Sequence, residues 1–169
     1  TALERAKEQG IGHYFVPRYT RVVDTAESKD NINKAYNLIS TSKVRNEMIV
    51  DDVITCVARK QTPVILTRFK EHAKFLHDAL KEKADHVFLL YGDNSDKENT
   101  EIRVKLKQIP ENESLILVAT GQKIGEGFDF PRLDVLMLAA PVSFEGRLEQ
   151  YVGRLNRDYV GKEAVYVYD

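Results

Sequence analysis

The chain has 169 residues, enough for one domain around a single core with an appended arm. Hydrophobic residues make up 43% and charged residues 30%, a balance that argues against disorder. The formal net charge of -1 supplies no global basic field, so any polyanion contact has to come from a local cluster.

In chain order, residues 1–12 read as the tail of a helix ending near Gly10 and Gly12. His13 to Val23 is extended and aromatic, and Pro17 confines it to an edge or connector. Residues 24–30 are a polar loop, and Asn31–Ile39 and Lys43–Arg59 are helical, the second with apolar positions at Val50, Ile54, Val57 and Ala58. Residues 1–42 are expected to be an arm or linker, and 43–169 the domain proper. From Pro63 onward strand and helix alternate. Val64-Ile65-Leu66 is a short strand, followed by a helix from about Lys70 to Lys83 with Phe69, Ala73, Leu76 and Leu80 on one stripe. Val87–Leu90 is a strand broken by Tyr91-Gly92, and Asp96–Ile109 a helix stopped by Pro110. Leu115–Ala119 and Val135–Ala139 are apolar on both faces, as central strands of a parallel sheet are when helices cover both sides. A helix over 145–157 and a strand over Ala164–Tyr168 complete a doubly wound α/β series.

Several chemistries drop out. Cys56 is the sole cysteine, which excludes an intrachain disulfide and a thiolate zinc cage. His13, His72, His77 and His86 have no metal-ligand spacing, so no metal site is expected. Without a bilayer-length apolar run or a signal-peptide pattern, a cytoplasmic location without membrane contact is expected.

Ligands of open α/β sheets bind beyond the carboxyl ends of the strands. Thr67-Arg68, Tyr91-Gly92, Thr120-Gly121 and Pro141-Val142-Ser143 all fall there, so one contiguous rim is expected. After the third strand, Gly121, Gly125 and Gly127 let the backbone approach a ligand and offer N–H groups to phosphate. A dinucleotide reading of Gly125-x-Gly127 is weak, because Pro131 stands where the helix should run. In the last helix, Leu148, Tyr151, Val152 and Leu155 face the core, while Gln150, Gly153, Arg154 and Arg157 share the opposite face. A mid-helix glycine costs about 1 kcal/mol relative to alanine. Beside two guanidinium forks it suits close approach of a phosphate or of another backbone.

These segments resemble a known family. Gln150-Tyr151-Val152-Gly153-Arg154-Leu155-Asn156-Arg157 resembles motif VI of superfamily 2 helicases, Q-x-x-G-R-x-x-R. Ala119-Thr120 through Glu126-Gly127-Phe128-Asp129-Phe130-Pro131 resembles motif V, and Val64–Arg68 looks like motif IV. The wording Ile124–Asp129 is similar to the DEAD/DEAH branch that includes the translocating subunit of restriction enzymes. The resemblance covers about residues 60–169 and implies a RecA-like, mainly parallel sheet with helices on both faces, the second motor domain of a helicase or translocase. It implies that Arg157 is the arginine finger and Arg154 a second γ-phosphate contact, with Gln150, Gly153, Gly127 and Asp129 on the nucleotide. By the same resemblance Thr67, Arg68, Gly92, Thr120 and Gly121 line the nucleic-acid rim for DNA or RNA backbone. Asn156 departs from the small residue or histidine of many relatives.

No G-x-x-x-x-G-K-[ST] occurs: the sole Gly-Lys, Gly161-Lys162, has Asn156 at the first glycine position and Glu163 after it. No acidic metal-binding box occurs either. ATP with Mg²⁺ is therefore expected to be held mainly by an N-terminal RecA-like domain outside this chain, with the chain inactive alone. The alternatives are a non-enzymatic nucleic-acid-binding scaffold, disfavoured by the set Asp129, Arg154 and Arg157, and a dinucleotide or nucleotide-sugar enzyme, disfavoured by the late glycine loop.

Overall fold

The computed structural model describes residues 12–16, 43–120, 130–139 and 164–168. Among them are strands β1 (Gly12–Val16), β2 (Pro63–Thr67), β3 (His86–Leu90), β4 (Leu115–Thr120), β5 (Val135–Leu138) and β6 (Ala164–Tyr168). The helices are α1 (Lys43–Ala58), α2 (Lys70–Leu80) and α3 (Asp96–Gln108). The strands form one sheet in the order β1-β6-β5-β2-β4-β3, and every pairing is parallel. Gly12–Val16, inside the segment expected as an arm, is the edge strand beside β6. The expected helices over 31–39 and 145–157 lie outside the described residues.

Period-two alternation divides the central strands between two apolar layers. Val64, Leu66, Leu117, Leu136 and Leu138 face a core that includes Leu106 of α3, with Phe130 and Leu133. Ile65, Ile116, Val118, Val135 and Met137 face the other core, with Ile49, Val53 and Cys56 of α1 and Ala73, Leu76 and Leu80 of α2. Each fully buried aliphatic side chain contributes roughly 1.5–3 kcal/mol relative to exposure. Helices on both faces explain why β2, β4 and β5 are buried along their whole length.

The buried stripe of α1 differs from the expected one. Ile49, Val53 and Cys56 are buried together with Asn46 and Asp52, whereas Ile54 is 37% exposed and Ala58 is exposed. The helix is rotated about one residue from the apolar reading: Asn46 turns inward to His72, and Asp52, also buried, is not without a partner.

At the amino ends of the strands, Arg132 staples the loop between α3 and β4. Its guanidinium donates to the carbonyls of Ile109 (3.4 Å), Pro110 (3.1 Å), Glu111 (3.5 Å) and Glu113, and its Nε donates to Thr62 Oγ1 at 3.3 Å. Asp134 locks the same corner: its Oδ1 accepts from the Thr62 N–H at 2.7 Å, and its own N–H donates to the Thr62 carbonyl at 3.2 Å.

Candidate functional site

The parallel order places the carboxyl ends of β5, β2, β4 and β3 along one edge. Thr67 pairs in register with Thr120, Leu66 with Leu138, and Leu90 with Ala119. Thr67-Arg68, Thr120 and Tyr91-Gly92 therefore converge on a common rim. Gly121, Gly127, Asp129, Gln150, Gly153, Arg154 and Arg157 lie outside the described residues, as does Pro141–Ser143.

The rim residues differ in what they offer. Arg68 is exposed, and its guanidinium carbon stands 5.9 Å from the Phe69 ring centroid. Thr67 and Thr120 are buried, at 4% and 6% exposure. The alternation that sends Ile65, Ile116 and Val118 toward α1 and α2 sends both threonines the same way. Thr67 thus supports the rim from beneath, and its hydroxyl is engaged with His72.

That contact belongs to a buried polar chain. The Asn46 Oδ1 is an acceptor, so His72 Nε2 carries the proton and donates to it at 2.8 Å. His72 Nδ1 is then an acceptor for the Thr67 hydroxyl, also at 2.8 Å. Thr67 Oγ1 in turn accepts from the Phe69 N–H at 3.5 Å, which bends the chain out of β2 into α2. Burial pushes the His72 pKa down to about 4, helped by the charge of Arg45, so the ring is neutral near pH 7.

The unfolded chain takes up this proton around pH 6.5 while the folded chain resists it down to about pH 4. The His72 contribution to stability is therefore intact above pH 6.5 and lost progressively as the pH falls to about 4. It amounts to roughly 3 kcal/mol at most. Urea unfolding of the parent and His72→Gln across this window should show a pH slope in the parent that the variant lacks. Equal slopes would remove His72 as its origin.

The Tyr91-Gly92 turn is fixed by Asn94. Its N–H donates to the Tyr91 carbonyl at 3.3 Å, and its Nδ2 donates to the Leu89 carbonyl at 2.7 Å and to Asn99 Oδ1 at 3.1 Å. Ser95 then caps α3 by accepting the Glu98 N–H at 3.1 Å. Lys70, at the start of α2, holds Asp93 at 2.8 Å, and that bond raises the Lys70 pKa. A methyl at Gly92 would rest 3.4 Å from Lys70 Cε. Lys70 is thus a cation beside the turn, while Arg68 stands at the end of β2, two strands away in the sheet order.

Sequence reasoning missed Arg45, Asn46, Lys70 and Asn94. It considered His72 as a metal ligand and set that role aside. The legible signal was its place beside Ala73 and one turn before Leu76, which puts an imidazole on an apolar stripe. Among the described residues no group of three or more His, Cys, Asp or Glu could hold a metal, and no helix is long and apolar enough to cross a membrane.

Comparison with known proteins gives this rim a family. The helicase conserved C-terminal domain matches residues 42–158. A transcript termination protein of Yaba-like disease virus is 28% identical over 177 residues, covering 98% of this chain and 36% of that protein. Its fowlpox virus counterpart is 32% identical over 117 residues, covering 68% of this chain and 24% of that protein. The chain thus spans about a third or less of the length of these relatives. The crystal structure of T4 UvsW is similar with a TM-score of 0.66 at 23% identity, covering 94% of this chain and 31% of that one. Domain 2 of the DEAD-box helicase Mss116p, solved bound to an RNA duplex, has a TM-score of 0.57 at 16% identity, covering 93% and 53%. The matched span takes in the segments that resemble motifs IV, V and VI, and the α/β sheet is the one these structures share. The chain belongs to the helicase conserved C-terminal domain family.

Proposed function

We propose that this chain is the second motor domain of an ATP-dependent superfamily 2 helicase or translocase and completes an ATP cleft whose other wall is an N-terminal RecA-like domain. The observation that carries the reading is the family match over 42–158, which spans both the rim and the motif VI segment. In this reading Arg157 and Arg154 reach the γ-phosphate, with Gln150 and Gly153 beside them and Gly127 and Asp129 on the nucleoside. Guanidinium forks on one helix face suit phosphate oxygens. The sequence contains neither a phosphate loop nor an acidic box, so the N-terminal domain would supply those and the Mg²⁺ contact. Bound ATP would supply a γ-phosphoryl group for transfer to water, its binding closing the cleft and its hydrolysis opening it. This chain's residues clamp its phosphates and shift their grip on nucleic acid. The viral relatives are transcript termination proteins, which fits a motor that acts on nucleic acid.

On the nucleic-acid side, Arg68, the Tyr91-Gly92 turn and the backbone after Thr120 would hold sugar and phosphate, contacts that carry no base code. Thr67 contributes by shape, because its hydroxyl donates inward. Single-strand binding by the intact protein should therefore be nearly indifferent to sequence. Arg68→Ala should weaken it about equally across sequences and lower the salt slope by about one unit or less. A salt titration of parent and variant makes the comparison, and an unchanged affinity and slope would move the rim away from Arg68.

A further inference from the structure

Three buried polar side chains in series are more than packing requires, since apolar groups of the same shape can replace hydrogen-bonded partners at nearly no cost. What a satisfied polar chain adds is fixed direction. The Asn46–His72–Thr67 chain joins the first turn of α1 to the last residue of β2, immediately before the exposed Arg68. The neighbouring residue of α1 reaches a second strand end. Arg45 Nε donates to the Ala139 carbonyl at 3.2 Å, and its Nη2 donates to the Leu138 carbonyl at 3.4 Å. The two strand ends are themselves joined, because the Ala139 N–H donates to the Leu66 carbonyl at 2.8 Å.

One helical turn therefore holds two adjacent strand ends. The β2 end leads directly to Arg68 on the nucleic-acid rim. The β5 end leads onward in the chain to Gln150, Arg154 and Arg157. Arg45 suits this position because a planar fork can serve two successive carbonyls at once, which a lysine ammonium on a flexible stem cannot do as well. Asn46 suits its position because its carbonyl oxygen fixes the His72 tautomer that accepts from Thr67.

Resting on the motor reading above, we propose that Arg45 and Asn46 are positioning residues that couple nucleic-acid contact at the β2 end to the arginine-bearing segment that follows β5. In this reading both residues act through the strand ends they hold. Each holds a strand end in the register that the other end requires. A change of grip at Arg68 is transmitted through Thr67, His72 and Asn46 into α1, and from Arg45 to the carbonyls at the end of β5.

The test measures ATP turnover of the intact protein with and without saturating single-stranded nucleic acid, and takes their ratio. Replacing Asn46→Leu together with His72→Leu keeps the volume of the buried chain and removes its direction. That variant should keep basal turnover and lower the ratio about tenfold, within the range of measured coupling effects. Arg45→Lys, at a partly exposed position where the fold should survive, keeps the charge and loses the fork, and should also lower the ratio with basal turnover unchanged. A purely structural role would lower basal and stimulated turnover together. A stimulated parent whose folded variants keep the parental ratio overturns this inference alone. A parent with no nucleic-acid-stimulated turnover overturns the motor reading and this inference with it.

Discussion

In the intact protein, Arg157→Ala is expected to lower ATP turnover about 10³-fold or more, the scale of other arginine fingers. The reasoning starts from charge development. Phosphoryl transfer spreads negative charge over the equatorial oxygens, and a guanidinium at that point stabilises the transition state more than bound ATP. Nucleotide affinity should consequently fall far less than turnover. Arg157→Lys should restore little, because an ammonium cannot reproduce the two-pronged planar donor. Arg154→Ala should share the effect in part, since the two arginines lie one turn apart on the expected helix. Steady-state turnover and nucleotide binding, measured on the same variants, separate the two quantities. Turnover by Arg157→Ala within about twofold of the parent would be too small for a group that acts in the transition state, and the finger role would be abandoned.

The second large effect is on stability and comes from the opposite end of the sheet. Arg132 is 9% exposed, and its side chain serves four backbone carbonyls and the Thr62 hydroxyl. Truncation to alanine leaves those acceptors unpaired in a corner that the Asp134–Thr62 pairing keeps closed. Buried hydrogen bonds from a charged donor contribute about 1.5–3 kcal/mol each, and water can reach part of this loop. Arg132→Ala should therefore cost about 3 kcal/mol or more, equivalent to roughly 6–12 °C in Tm for a domain of this size. Arg132→Lys should recover less than half, because one ammonium cannot span the row of carbonyls. Urea unfolding of the 169-residue chain reads this directly, and a midpoint unchanged in Arg132→Ala would show that the loop closes without the guanidinium.

How much of this was legible in the sequence depended on periodicity. β2, β4 and β5 were found to within a residue because helices on both sides demand continuous apolar runs, which few other elements produce. α3 was stopped by Pro110, and its observed end at Gln108 lies one residue short of the expected Ile109. The end of α1 carried no such sign. Lys60 takes the left-handed conformation there (φ 62°) while Gln61 N–H bonds the Cys56 carbonyl, a closure usually marked by glycine. The inner face of α1 was misread because Asn46 and Asp52 are polar, and only their partners explain their burial.

The rim was legible as a place and less so as a set of donors. Strand ends in a parallel sheet share an edge, so Thr67, Thr120 and Tyr91-Gly92 could be gathered from their order alone. The direction of a threonine side chain depends on strand parity. Counting from Ile65 and Val118 would have turned both hydroxyls toward α1 and α2. The Asn46 partner of His72 was beyond reach, because it lies 26 residues away on another helix. The assignments of Gly121, Gly127, Asp129, Gln150, Gly153, Arg154 and Arg157 rest on the motif resemblance and the family match that spans them.

The central claim is that this chain supplies half of an ATP cleft. It is tested most directly by measuring ATP turnover of the 169-residue chain and of the intact protein side by side, each with and without single-stranded nucleic acid. The account predicts turnover at background for the chain under both conditions, and nucleic-acid-stimulated turnover for the intact protein. Turnover by the purified chain alone, abolished by Arg157→Ala, would contradict it.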